Sequence, residues 1–583
     1  QILRAYACIC SKNLPIKVPK IAILIAKWNS ERSLIFLILL FLCSLHRIYP
    51  NDLKTDALYH SLDPYSIAEF FAFYHLYKGT KQGEKALARG WELLNAHREE
   101  YRYIRGNLTL PDLDLDAIIS LVNKTSTENP ILLTEEQLEI IESLSDHLAN
   151  RKLQGFALWD KDLLPTLPTE EIDLARALLL FQLEKNENRK DEIRQYEASI
   201  DLMSLQILAR LPKDASLEEK IHAINQFIFY EKKFRFPPHS LWVNDIDLYT
   251  FLPSVLDSRK GVCLGVSILY LSIAQRLALP LEIITPPGHI YISYVDQDKT
   301  INIETTARGI SLPSKSYLGI NTYKLQKRRM KEVIGLSLIN QASVSWHRKN
   351  YETTVSLYEQ ARIFLPTDPL LKMLLGYNYL FLGKIEEGKT LLSQIKDIPF
   401  EGAIYKETTP EDYLDGKIDV EGIKTIFLNV DETRESILKK QEQIKGILKK
   451  HPTFRDGLLQ LAVTYLQLSR GGEALEALMQ YHKIDSNNPT VEYYLTLLCI
   501  DRFRYEKAWE HYTNVEKIIS RLCPILLHPL LNIGIKGHHA PHCAHDSGSD
   551  QATFEVHSQW SRCQIGDIAE HCRPNCFHRI DGQ

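Results

Sequence analysis

Two stretches of the chain repeat themselves at one spacing, and that spacing limits the fold more than any other feature. In the first, RKNYETTVSLYEQARIFLPTDP is followed by FLGKIEEGKTLLSQI, and aligning Tyr351 with Ile385 gives a period of 34 residues. In the second, RGGEALEALMQYHKIDSNNP is followed by FRYEKAWEHYTNVEKI, and aligning Ala474 with Ala508 gives 34 again. Apolar residues recur at three and four positions, the helical spacing, and Pro366 or Pro489 closes the units. A helix pair of this size leaves one apolar face that only a stacked neighbour covers, so such units come in arrays. A helical array over 336–520 is expected, with 396–432 breaking its register as a loop or a degenerate unit.

Period and texture resemble the tetratricopeptide repeat over 336–395 and 435–520. The resemblance implies a C-terminal α-solenoid. Arrays of this kind commonly bind extended peptides, which implies a protein or peptide partner for the helical repeats.

Residues 50–195 read as a helical domain. SIAEFFAFYHLY and QGEKALARGWELL form a helix pair broken at Gly79. Thr134, with Gln137 three residues on, makes a capping box that opens a helix over Leu132–Arg151. Thr169 opens another (TEEIDLARALLLFQLE), and the charged run Glu184–Arg194 marks a boundary near 195.

Residues 196–330 change character. Helices are expected at 216–230 and 262–278, followed by alternating strands at Leu281–Thr285, His289–Val295 and Thr300–Thr305. Asp296-Gln297-Asp298-Lys299 supplies a hairpin turn. Helices first and strands after predict an α+β domain.

That domain holds the one cysteine between Cys43 and Cys499. Cys263 falls where the second helix begins, against the partial positive charge of unpaired backbone amides. A thiol in such a place tends toward thiolate, with Arg259 and Lys260 adding to the field. The amides there are also suited to steady an oxyanion. His289 opens a strand after Pro286-Pro287-Gly288, and a hairpin turning at Asp296–Gln297 brings Glu304 opposite it within about two residues of register. The three residues then make nucleophile, base and orienter. Other readings stand beside this one. A lone cysteine in an apolar helix is usually a small core residue, a histidine after Pro-Gly usually lies in a loop, and Glu304 has Arg308 as an alternative partner.

The segment FLPSVLDSRKGVCLGVSILYLSIAQRLALPLEIITPPGHIYISY resembles the core of the transglutaminase-like superfamily, and more narrowly its SirB-like branch. The features that carry the resemblance are Phe251-Leu252, Arg259–Gly261, the helix Ser267–Pro280 and Pro287–His289, within a match over 216–312. The resemblance implies a papain-like α+β core with Cys263, His289 and Glu304 as catalytic residues. It implies a protease, amidase or acyl transferase acting on a protein or peptide amide. The acid position holds glutamate where the superfamily usually has aspartate. Many SirB-like members lack the cysteine, so a non-catalytic interaction scaffold is the alternative. An oxyanion side chain near Trp242 or Asn244 is a guess only. The chemistry needs no cofactor or metal, and no acidic calcium loop of helix–loop–helix type occurs.

The ends read differently. SLIFLILLFLCSL (33–45) is an apolar run of 13 residues, short of the roughly 20 needed to span a bilayer. With Lys27 and Arg32 it resembles a signal-peptide core or membrane anchor; the alternative expectation is that residues 1–49 are a non-native segment. A signal there implies a bacterial periplasm or envelope location, its lack the cytoplasm. Residues 521–583 form a Cys- and His-rich tail, including His538, His539, His542, Cys543, His545, His571, Cys572, Cys576 and His578. These are zinc-type donors, but Cys572 and Cys576 lack an upstream pair at finger spacing, so a disordered or non-native tail is expected. A formal net charge of −4 gives no basic face for nucleic acid.

Overall fold

The computed structural model describes residues 50–98, 116–123, 132–183, 186–237, 246, 248–296, 299–428, 430 and 433–522. The apolar run at 33–45, Trp242, Asn244 and the Cys/His-rich tail lie outside them. Among the described residues no helix is long and apolar enough to cross a membrane.

The chain divides into two compact units, one ending at Trp91 and one beginning at Glu92. In the first, Ser66 caps the helix Ile67–Leu76 by accepting from the Glu69 amide, and Ile67, Phe70, Phe71 and Phe73 are buried. The edge of Phe71 meets Trp91 at 6.2 Å between centroids. Gly90 permits this approach, because a Cβ there would lie 2.3 Å from the Phe71 ring. The break expected at Gly79 is a left-handed turn with φ of 79°.

Among its described residues the second unit is mainly helical and holds one antiparallel sheet of four strands: β1 (Glu282–Thr285), β2 (Tyr291–Asp296), β3 (Lys299–Ile303) and β4 (Gln326–Arg328). Their order is β3-β2-β1-β4. The hairpin β2–β3 pairs Ile292 with Ile303 and Asp296 with Lys299. The short edge strand β4 has no alternating apolar pattern (Gln-Lys-Arg) and was not expected. One hydrophobic core runs from Leu164 through the sheet residues Ile283, Ile292 and Ile303 to Ile423. Within the second unit the helices from Leu164 on, the sheet and the first repeats therefore share a single interior.

The helix Cys263–Arg276 lies at the centre of that interior. Every residue in it is buried except Cys263 and Gln275, which explains its nearly continuous apolar sequence. It packs on helices Leu174–Gln182, Arg189–Leu208 and Leu252–Ser258. Gly265 allows the closest approach: a Cβ there would sit 2.2 Å from the Tyr249 carbonyl oxygen. Gly265→Ala should therefore cost about 2 kcal/mol, within the usual range for overpacking a tight core. A urea midpoint equal to that of the parent protein would contradict this packing account.

Several expected helix boundaries move. The helix placed at Leu132–Arg151 ends at Leu144, although its Thr134–Gln137 capping box forms. Arg151 sits in a following 3₁₀ turn and binds the buried carboxylate of Asp201. The same carboxylate group accepts from Arg276 Nε at 2.6 Å, so the core ion pairing draws the chain out of helix. Thr169 opens only a 3₁₀ turn. The helix begins at Leu174, capped by Asp173, whose other oxygen accepts from Asn150 Nδ2 at 2.9 Å. Position 195 lies inside one continuous helix, Arg189–Leu208.

The repeats appear as antiparallel helix pairs. Met330–His347 packs on Tyr351–Phe364, Pro369–Phe381 on Ile385–Ile395, Arg455–Gln467 on Gly471–Ile484, and Pro489–Asp501 on Tyr505–Leu522. They make an α-solenoid of stacked helix pairs. Pro489 opens a helix at its first turn rather than closing a unit, where its missing N–H costs nothing. The insertion 396–432 contains the short helices Thr409–Leu414 and Val420–Ile426. It clamps the later repeats through Arg455, whose Nη2 donates to Asp412 Oδ1 at 2.7 Å.

Candidate active site

The site is assembled at the start of the central helix and the open end of the β2–β3 hairpin. Val262 precedes Cys263 as the helix cap and offers no side-chain acceptor to the first-turn amides. Cys263 is half-buried and free. Its carbonyl accepts from Thr305 Oγ1 at 3.4 Å, and Thr305 also meets Ser267 of the same helix at 3.1 Å. These bonds tie the helix start to the residue after Glu304.

His289 lies just before β2 rather than within it. Gly288 takes a left-handed φ of 69°, and the His289 amide closes the turn onto the Pro286 carbonyl at 3.0 Å. Glu304 follows β3 directly and caps the 3₁₀ turn Thr305–Ala307. Extending the Ile292–Ile303 register puts Tyr291 opposite Glu304, so His289 and Glu304 meet diagonally, two residues from direct opposition. His289 Nε2 and Glu304 Oε2 are 2.7 Å apart, with both side chains almost wholly buried.

The remaining lone pairs of the carboxylate are also filled. Oε1 accepts from the Thr306 amide at 3.1 Å and from Thr306 Oγ1 at 2.6 Å. Oε2 accepts from Tyr317 Oη at 2.7 Å. Arg308 is not among these partners. The Tyr317 ring stacks on His289 at 5.8 Å and on Tyr291 at 4.4 Å. With Nε2 committed to Glu304, the buried Nδ1 is the ring nitrogen that remains for Cys263, whose sulfur lies near enough to act on the imidazole's charge.

The electrostatics follow from these contacts. Burial by itself lowers the His289 pKa, but the hydrogen bonds to Cys263 and Glu304 and the attraction of both overcome it, raising the value to about 10. Burial would raise the Glu304 value, yet bonds from His289, Thr306 and Tyr317 hold it below the usual carboxylate range. Burial, then the neighbouring Glu304 carboxylate, pushes the Tyr317 hydroxyl well up, so it stays a donor. The arrangement keeps a charged imidazole between a sulfur and a carboxylate, which suits proton transfer at the sulfur.

The sequence expectation for Cys263, His289 and Glu304 thus falls on three side chains that the fold brings together. Arg259 has a different place: it is buried, with a left-handed φ of 56°, and its Nη1 donates to the Lys232 carbonyl at 2.8 Å. Tyr317 was missed. It ends the short 3₁₀ turn Ser314–Tyr317, and its sequence signal is an aromatic residue thirteen positions after Glu304. Tyr317→Phe keeps the stack and removes the donor, so it should lower stability by about 1–2 kcal/mol. A denaturant midpoint that does not move would show the hydroxyl to be unimportant.

Residues 194–329 match the Transglutaminase-like superfamily. No curated protein matches the chain. Among solved structures, a MamA mutant is 16% identical over 32% of this chain and 98% of its own, with a TM-score of 0.17. MamA from MSR-1 gives 16% identity, 32% and 97% coverage and a TM-score of 0.17. TTC0263, a thermophilic TPR protein in Thermus thermophilus, gives 17%, 33%, 93% and 0.18. The helical pairing described above rests on this chain's own packing.

Proposed function

We propose that the transglutaminase-like domain of this chain is a thiol enzyme that transfers the acyl group of a protein or peptide amide. The observation that carries the reading is the succession Cys263–His289–Glu304, with the imidazole bonded to the carboxylate at 2.7 Å and acted on by the sulfur of a half-buried helix start. In the first step the Cys263 sulfur attacks the amide carbonyl carbon, and a C–S bond forms. The oxygen takes up the negative charge beside the uncapped amides of the helix start. His289 gives its proton to the departing nitrogen as the C–N bond breaks, leaving a thioester and a free amine. Water or a second amine then attacks the thioester carbonyl, giving its proton to His289, and the sulfur leaves. Glu304 holds the imidazole in orientation and balances its charge throughout.

The helical repeats would hold the protein partner. An open cleft of about 810 Å³ beside helices Tyr351–Phe364 and Ile385–Ile395, lined by Glu359, Arg362, Ile363 and Lys372, supports that role. A generic activated ester tests the chemistry without knowledge of the natural substrate. With p-nitrophenyl acetate, the wild-type protein should release a burst of about one nitrophenol per chain, the kinetic mark of an acyl-enzyme. Cys263→Ser should abolish the burst. Release equal in the two proteins would leave the alternative, an interaction scaffold that keeps the domain for packing.

A further inference from the structure

Three residues of the last helix pairs converge on one point away from the Cys263 site. His482 is in the last turn of Gly471–Ile484, Glu492 in the first turn of Pro489–Asp501, and His511 in Tyr505–Leu522. One donor atom from each lies within 4.8 Å of the others. His482 Nδ1 contacts Glu492 Oε1, and His511 Nδ1 lies 2.9 Å from Glu492 Oε2. Asn514 Nδ2 donates to the same Oε2 at 3.1 Å. The imidazole rings stand at 85° to one another, 5.1 Å between centroids.

The side chain of Glu492 has no exposed surface, that of His511 has 4%, and that of His482 has 22%. Among the described residues no lysine or arginine pairs with this carboxylate; its ion-pair partners are the two histidines. A carboxylate taken wholly out of water needs a compensating cation. Two imidazoles and a carboxylate are the donor set that zinc and neighbouring divalent metals accept. Around tetrahedral zinc, donor atoms stand about 3.3 Å apart, so the present 2.9 Å contact has to open by only a few tenths of an ångström. Each imidazole would move its proton from Nδ1 to Nε2 and offer the Nδ1 lone pair. Asn514 already orients the carboxylate, as outer partners of metal ligands do. The partly exposed His482 gives the ion a way in.

We propose that His482, Glu492 and His511 bind a divalent transition-metal ion, zinc by preference, which pins the turn between Gly471–Ile484 and Pro489–Asp501 to the final helix. The site is independent of the thiol chemistry. The full chain, stripped with a chelator and dialysed against Zn²⁺, tests it by metal count. Zinc held by the Cys- and His-rich residues after 537 is common to all variants and cancels in the difference. The double variant His482→Asn/His511→Asn should retain one zinc per chain fewer than wild type. Zinc should also raise the melting temperature of stripped wild type by several degrees, because it binds only the folded site. Glu492→Gln, which preserves shape and polar contacts, should lose that rise even where the double variant folds poorly. Equal metal counts together with equal melting shifts in wild type and Glu492→Gln would overturn the proposal and leave a hydrogen-bonded ion pair only.

Discussion

His289→Gln should slow the alkylation of Cys263 by chloroacetamide at neutral pH by roughly 10- to 100-fold, the scale on which a cationic neighbour activates a thiol. The expectation rests on the charge state of His289. Against burial, Cys263 and Glu304 raise its pKa to about 10, which favours a cationic imidazole beside the sulfur at pH 7. Glutamine keeps a polar side chain of similar reach but carries no charge, so the sulfur loses its cationic neighbour. Peptide-resolved mass spectrometry reads Cys263 apart from the other nine cysteines of the chain. The buried Cys499, whose thiol burial pushes up, serves as an internal control and should not respond. Equal Cys263 rates in parent and variant would mean that the two side chains merely pack together, and the acyl-transfer reading would lose its base.

Glu304→Ala should be the most destabilising change at the site, about 3 kcal/mol, because it strands a buried charged partner. Four donors lose their acceptor at once: His289 Nε2, the Thr306 amide and hydroxyl, and Tyr317 Oη. Glu304→Gln should cost less, since an amide oxygen still accepts from some of them. Chemical denaturation at several pH values separates charge from shape. Glu304 is more acidic in the folded protein than in the unfolded chain. Its contribution is therefore present above its ordinary pKa of about 4.3 and fades as the pH falls through the lower folded value. His289 is more basic when folded. Its contribution is complete below its ordinary value of about 6.5 and fades as the pH rises toward about 10. The advantage of the parent over His289→Gln should accordingly shrink on the alkaline side, and its advantage over Glu304→Gln on the acid side. Advantages that stay constant from pH 2 to 10 would place both effects in packing rather than charge.

The parts legible in the sequence are those set by short-range rules. A helix pair of fixed length with one apolar face writes a 34-residue period, and the Tyr351–Ile385 and Ala474–Ala508 alignments fall on matching helices of the solenoid. A hairpin fixes its own register through its turn, so counting from Asp296–Lys299 placed Glu304 within two residues of its partner. A helix that begins after Gly261-Val262 puts Cys263 at its tip whatever surrounds it.

Illegible parts depend on side chains that meet only after distant segments have packed. Nothing local says that Arg151 leaves its helix for Asp201, or that Asp173 rather than Thr169 starts the next one. Tyr317 reaches the imidazole from the end of a single 3₁₀ turn, Ser314–Tyr317, too short to write a period into the sequence. The convergence of His482, Glu492 and His511 needs three helices stacked at one angle. Short-range rules wrote most helices, the hairpin and the order of the three site residues into the chain, because backbone hydrogen bonding and apolar periodicity act over a few residues. Long-range packing settled that the His289 imidazole lies buried beside the Glu304 carboxylate and is held toward its charged form, because charge in a dry interior depends on every group that closes around it.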